Sequence, residues 1–203
     1  MKKLLKRIGI CLVLAASVWC GSLLADRQRL NDELIRFHVV ANSDSEEDQS
    51  IKLQVRDAVL NSLQSDLNKI ADVNEARAYL QAKLPQIQAV ANSVLEATGC
   101  DCEAVVTLCK EAFDTRYYDT FTLPAGIYEA LRITIGEGEG HNWWCVAFPS
   151  LCLSATSEEF ASKAAGAGFP DSLIGALDGE EKYEARFFLL DALGELEKIL
   201  FAG

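Results

Sequence analysis

The two histidines, His38 and His141, are the residues best suited to act as general bases at neutral pH. His38 is followed by Asn42 and Asp44, which could orient an imidazole. A catalytic base with an orienting acid could be assembled from these parts, but a surface imidazole beside an Asx turn accounts for them equally well. We favour the structural interpretation.

A glycine-rich segment at residues 136–142 offers two other kinds of site. Its Gly-x-Gly-x-Gly spacing resembles a phosphate loop, but it precedes a strand and its intervening residues are Glu137 and Glu139, which repel phosphate. These two carboxylates and His141 could in principle ligate a metal, yet no further fixed ligand stands near them in the sequence. We therefore predict a solvated hairpin loop, with no metal and no cofactor.

Cysteines provide a third possible chemistry. The pair Cys100-x-Cys102 lacks the second Cys-x-x-Cys pair of a zinc site. Six residues separate Cys145 from Cys152, a span that can turn back and close a disulfide in an oxidising compartment. Two buried thiols are the equally weighted alternative.

No His-Glu-x-x-His, Gly-x-Ser-x-Gly or Walker sequence is present, which removes the common hydrolase and nucleotide-binding signatures. Trp143 and Trp144 are adjacent, so on a strand they point to opposite faces. We expect Trp144 to face the core and Trp143 to face outwards beside Asn142 as part of an interaction surface. A C-terminal helix that buries both rings is the alternative.

Charge restricts the class of partner. The 203 residues carry a net charge of −11. Residues 1–25 contain four basic side chains and no acidic one, so residues 26–203 contain the other 15 basic side chains and all 30 acidic ones. Such a body is repelled by nucleic acid and by anionic lipid. A protein partner is the better expectation, and no small-molecule substrate is indicated.

The N-terminus is typical of an exported protein. A basic region at residues 1–7 precedes an apolar stretch at 8–25, whose length lies between a signal-peptide core and a full membrane span. We predict that residues 1–25 engage the export machinery as a signal peptide or a membrane anchor, and that 26–203 form a single domain across the membrane. A buried N-terminal helix is the minor alternative.

Hydrophobic periodicity predicts the elements that position these residues. A strand at 34–41, two helical regions between 46 and 98, clustered strands and a closing helix predict an α+β fold with a small, mainly antiparallel sheet. Residues 157–181 mix a short helical piece with Gly and Ala and are expected to form a loosely structured connection. The later strands are expected at 102–109, 128–135 and 143–148, and the closing helix at 183–200.

Two blocks of sequence resemble a known family. RFHVVANSDS at 36–45 with the following Asp48 and Gln49, and LPAGIYEALR at 123–132 with NWWCV at 142–146, are similar to the stage II sporulation protein R family. With the leader and the closing helix, the similarity spans most of the chain.

The resemblance implies a signalling role in endospore formation. Proteins of this family are made in the forespore and exported into the space between its two membranes. There they activate a membrane-embedded aspartic protease that cleaves the precursor of a mother-cell sigma factor, and no enzyme activity is attached to them.

Two hypotheses follow. The first is a non-enzymatic ligand that contacts the extracytoplasmic part of the protease. The second is a small hydrolase or metal-dependent enzyme of the intermembrane space that uses His38, Asp44 and the loop 137–141. The candidate partner contacts are Trp143, Trp144, Asn142, His38, Asn42 and Asp44.

Overall fold

The computed structural model describes residues 2–150 and 157–202, which contain six α-helices and six strands. A short 3₁₀ helix, Glu181–Tyr183, precedes the last α-helix. The helices are α1 (Lys2–Glu33), α2 (Glu46–Leu67), α3 (Val73–Thr98), α4 (Ser157–Gly166), α5 (Asp171–Leu177) and α6 (Glu184–Ala202). The strands are β1 (Ile35–Val40), β2 (Ala104–Phe113), β3 (Arg116–Tyr117), β4 (Thr122–Leu123), β5 (Gly126–Ile135) and β6 (Asn142–Phe148).

Helix α1 serves two environments. Its first two-thirds is exposed and apolar, and by length and composition the helix could cross a membrane. Its last turns bury Leu23, Arg27 and Leu30 against the rest of the chain. The helix passes residue 25 without a break, so the apolar segment and the folded domain share one continuous element.

The main sheet has the strand order β2-β5-β1-β6. The β2–β5 and β1–β6 pairs are antiparallel, whereas β1 and β5 are parallel. The α+β class with a small sheet is therefore confirmed. The sheet is mixed, because β1 enters the sheet between two strands that follow each other in the sequence.

The predicted hairpin between β5 and β6 is wrong for that reason. The loop at 136–141 crosses the end of β1 instead of turning back on its own strand. The backbone N–H groups of Glu139 and Gly140 donate to the carbonyls of Asn42 and Ala41. A Cβ at Gly140 would lie 2.2 Å from the carbonyl oxygen of Ser43, so only glycine allows this crossing.

Helices α2 and α3 cover one face of the sheet. Ser45 caps α2 by accepting a hydrogen bond from the N–H of Asp48, and Gly99 ends α3 in the left-handed conformation, both as their residue types predict. The core on this side is formed by apolar residues from both helices and from alternate positions of the strands, such as Phe37, Val55 and Leu80.

The end of α1, together with α4, α5 and α6, covers the other face. The expectation of a loosely structured connection at 157–181 is wrong, because α4 and α5 lie there and bury Phe160, Leu173 and Leu177 in this second core. Their Gly and Ala residues obscured the apolar stripe. The hairpin of β3 and β4 lies on the same side, where Phe121 and Leu123 are buried.

Candidate functional site

The turn after β1 and the 136–141 loop are joined by a polar cluster, called here the loop clamp: Asn42, Ser43, Asp44, Asp48, Lys52 and His141. The Asp44 carboxylate accepts hydrogen bonds from the backbone N–H of His141 at 2.6 Å and contacts its ring Nδ1 at 2.5 Å. These two contacts hold the pKa of Asp44 below its usual value. Two of the predicted site residues are thus brought together.

The rest of the clamp holds the turn to helix α2. Ser43 and Asn42 donate hydrogen bonds to the Asp48 carboxylate, at 2.5 Å and 3.0 Å, and so lower its pKa. The buried Lys52 ammonium donates to the carbonyl oxygen of His141 at 2.9 Å. The Asn42 side-chain oxygen accepts from the N–H of Glu137. The bonds to the backbone of Glu137 and His141 position the 136–141 loop, so the clamp fixes where β6 begins.

The clamp has little catalytic capacity. The His141–Asp44 pair has the orientation of a base and its supporting acid, and the His141 ring is 81 % exposed. Within residues 2–150 and 157–202, His141 has no hydrogen bond to a hydroxyl or thiol that could serve as nucleophile. Over the same residues, no three His, Cys, Asp or Glu side chains are grouped to hold a metal ion.

His38 lies in another environment. The predicted surface position is wrong: its side chain is 2 % exposed, because β1 is an inner strand covered on both faces. Its ring stacks on Trp144 with 4.7 Å between centroids, and its Nε2 lies 3.1 Å from a Glu111 carboxylate oxygen. Because His38 is buried between the Trp144 ring and the Glu111 carboxylate, it is a structural residue that cannot contact a partner protein directly.

Trp143 and Trp144 do point to opposite faces of β6. Trp143 packs edge-on against Phe37 on the α2–α3 side, beneath the Arg56 guanidinium. Trp144 lies on the other side and carries the Arg116 guanidinium over its ring at 4.4 Å. The expected division into one core ring and one outward ring is wrong. Each face of the sheet packs against its own hydrophobic core, and both rings are half-buried.

The cysteines divide into two cases. A Cys100–Cys102 disulfide follows α3, a pairing that the spacing of the two residues did not predict. Cys145 is buried in β6, while Cys152 lies outside the described residues, so the proposed bond between them stays a prediction.

Arg36 and Arg116 are the notable residues that the sequence patterns did not single out. Arg36 is completely buried on the same face of the sheet as Trp144, and its guanidinium lies over the rings of Phe113 and Tyr128. The signal that could have found it is a charged side chain at an alternating position of a strand flanked by apolar segments on both sides. Alternation alone predicts a solvated face there.

Comparison with known proteins gives a clear assignment. The family model for stage II sporulation protein R (spore_II_R) matches residues 31–158. The chain belongs to this family. Stage II sporulation protein R of Bacillus subtilis (strain 168) is 43 % identical over 122 residues, which cover 60 % of this chain and 54 % of that relative. The chain thus matches about half the length of this curated relative. No solved structure matches the chain.

Membership of the stage II sporulation protein R family connects the chain to sporulation, and the family is not named for an enzyme activity. The matched region contains the loop clamp and both tryptophans. The apolar part of helix α1 precedes it and is compatible with a signal or anchor segment. The candidate site therefore lies within the part of the chain that defines the family.

Proposed function

We propose that this protein is a non-catalytic ligand that activates a membrane-embedded aspartic protease during sporulation. It acts from the space between forespore and mother cell, where the protease then cleaves the precursor of a mother-cell sigma factor. The observation that carries the proposal is the match of the family model to residues 31–158. The resemblance to this family implies the role in activating the protease.

Features of the described chain support this role. The apolar part of α1 provides a segment for export or anchoring, with basic residues at its cytoplasmic end. The acidic body disfavours nucleic acid and anionic lipid as ligands. Among the described residues, the His141–Asp44 pair of the loop clamp has no hydrogen bond to a hydroxyl or thiol, which supports a role by contact with the protease's extracytoplasmic part.

A reconstituted system tests the proposal. The full chain, the protease and the sigma-factor precursor are co-expressed in a host that does not sporulate. We expect precursor cleavage only when all three are present, and none with a protease lacking its catalytic aspartate. Cleavage that saturates at one copy of this chain per protease supports a ligand. Full cleavage at far substoichiometric amounts would contradict it.

The hydrolase alternative is favoured by one observation, the contact between His141 and Asp44. His141→Ala separates the two functions because the ring is exposed and its loss leaves the core intact. We expect precursor cleavage to remain within about twofold of wild type, since surface substitutions rarely change stability. Complete loss of cleavage, with an unchanged melting temperature, would favour the enzyme.

A further inference from the structure

A cavity of about 360 Å³ lies between the β3–β4 hairpin and the beginning of β6. We call it the Arg116 pocket. Three of the predicted partner contacts line it, although nothing in the sequence placed them beside a basic residue. Its lining includes Arg116, Tyr117, Tyr118, Asn142, Trp143 and Trp144.

Two polar atoms of this lining are buried without a hydrogen-bond partner: the Nε of Arg116 and the side-chain oxygen of Asn142. A buried donor or acceptor left unsatisfied is costly, and such groups are rare in folded proteins. One atom is a cationic donor and the other is an acceptor. Both atoms lie beneath the pocket surface, so a ligand reaches Arg116 through its Nη groups, which no carboxylate occupies among the described contacts. A complementary ligand therefore supplies an anionic acceptor.

Tyr118 extends the donor side of the pocket. Its hydroxyl oxygen accepts a hydrogen bond from Arg36 at 2.9 Å, so its own proton is free to be donated to another group. The Arg36 side chain is fully buried, and its Nε and Nη1 have no partner. An uncompensated buried cation behind the phenol strengthens the attraction for a negative charge in front of it.

Two acidic side chains of β2 and the turn after it are already engaged. Asp114 is paired with Lys198 at 2.5 Å, and Glu111 lies between His38 and Arg132, at 3.1 Å and 3.8 Å. Neither carboxylate bonds to Arg36 or Arg116 among the described contacts. The hydrogen bond from Lys198 lowers the pKa of the exposed Asp114, and the charge of Arg116 helps to lower it. No ion pair holds the Arg116 guanidinium among the described contacts, so the pocket presents positive charge on a protein whose net charge is −11.

We propose that the Arg116 pocket binds an acidic residue of the protein partner. The carboxylate of that residue accepts hydrogen bonds from the Arg116 guanidinium and the Tyr118 hydroxyl. The Trp144 ring, on which the Arg116 guanidinium lies, walls the site and excludes water, which strengthens both bonds. That the partner is the protease rests on the proposed function; the chemistry of the ligand rests on the pocket.

The test uses the full chain in the three-component system described above, with binding measured by co-purification of the protease. Arg116→Gln and Tyr118→Phe each remove one donor. Lys110→Gln and Tyr79→Phe are the controls, because they remove one positive charge and one phenol hydroxyl at exposed or half-exposed positions outside the pocket lining. We expect binding to weaken about 10- to 100-fold for the pocket variants and to be unchanged for the controls. Arg116→Gln should melt near wild type, whereas Tyr118→Phe also removes the acceptor of the buried Arg36 and should melt lower, so Arg116→Gln decides the test.

A charge exchange identifies the ligand. Arg116→Glu abolishes activation, and changing the matching Asp or Glu of the protease's outer region to Arg restores it. If wild-type binding is normal and the pocket variants bind equally well, the inference is overturned and the proposed function stands. If the pocket variants lose binding to vesicles of anionic phospholipid but still bind the protease like wild type, the inference is also overturned. If the wild-type chain neither binds nor activates the protease, the proposed function fails and this ligand assignment fails with it.

Discussion

The two faces of the main sheet bury different kinds of side chain. The α2–α3 face is an apolar core in which the helices contribute residues at helical spacing, such as Val55, Val59 and Leu80. The opposite face contains four of the buried polar or charged side chains of the described residues: Asp26, Arg27, Arg36 and His38. One sheet therefore supports two cores with different energetics.

The charged face obtains its partners from distant parts of the chain. Asp26 pairs with Arg186 at 2.5 Å, and Arg27 pairs with Glu197 at 2.6 Å. These contacts join α1 to α6, across most of the length of the sequence. Arg36 is the exception, since it has aromatic rings and a phenol around it but no carboxylate among the described contacts.

The difference suggests a division of labour. Apolar packing stabilises the α2–α3 side without the cost of burying charge. On the α1–α6 side, Asp26 and Arg27 are buried and lose hydration, but each forms an ion pair with a residue of α6. These ion pairs fix how α1 packs against α6. The uncompensated Arg36 lies where the Arg116 pocket begins.

The largest expected effect concerns the end of α1. A chain that begins at Asp26 retains Arg27, Leu30 and Leu34 and should fold, whereas one that begins at Ile35 should not. The second truncation removes two fully buried leucines and leaves Glu197 without its arginine. Circular dichroism melting measures both. Equal melting temperatures would show that α1 contributes nothing to the second core.

The next effect compares the two faces directly. Leu80→Ala should lower the free energy of unfolding by about 2–5 kcal/mol, because it opens a cavity in the apolar core. Arg36→Met should change it by less than about 1 kcal/mol or raise it, since an apolar side chain replaces an unpaired buried cation. Urea titration of both variants checks this. A cost for Arg36→Met as large as for Leu80→Ala would mean that the charge is well compensated.

Local patterns predicted the elements better than their arrangement. The apolar stripe of α2 and its Ser45 cap are encoded by neighbouring residues, so the helix could be predicted. The insertion of β1 between β5 and β6 could not, because glycine-rich loops join hairpins far more often than they cross another strand. The decisive contacts, from the loop to Ala41 and Asn42, join residues about 100 positions apart.

The candidate site was predicted in part for the same reason. Asn142, Trp143 and Trp144 follow one another, and their strand pattern places them correctly at one end of β6. Arg116 approaches Trp144 only through tertiary folding, and no spacing rule connects the two residues. Helix α3 shows the limit of a local rule, since it runs through Pro85 although proline lacks the N–H that a helix interior uses.

A smaller effect separates the two tryptophans. Trp143→Ala and Trp144→Ala should each lower the free energy of unfolding by about 1–3 kcal/mol, because each ring is half-buried against one of the two cores. Only Trp144→Ala should also impair protease activation strongly, since the Arg116 guanidinium loses the ring on which it lies. Melting curves and precursor cleavage measure the two effects. Equal activation by both variants would contradict the assigned role of Trp144.

The smallest effect is a pH dependence confined to the loop clamp. The hydrogen bonds from Ser43 and Asn42 lower the pKa of Asp48 in the folded state, so its carboxylate stabilises the fold above its usual pKa. This contribution disappears as the pH falls through the lowered value. Asp48→Asn should therefore melt below wild type at pH 7, by an interval that stays constant to about pH 5 and shrinks below about 3.8.

The control for that experiment is Glu47→Gln, an exposed acid in the same first turn of α2. It changes the net charge equally but removes no bond to the clamp, so its melting temperature should stay close to wild type at each pH. An Asp48→Asn interval that persists unchanged below about 3.8 would show that the carboxylate's charge is irrelevant. The clamp would then depend on the shape of the turn alone, and the end of β1 would be held to α2 without any contribution from ionisation.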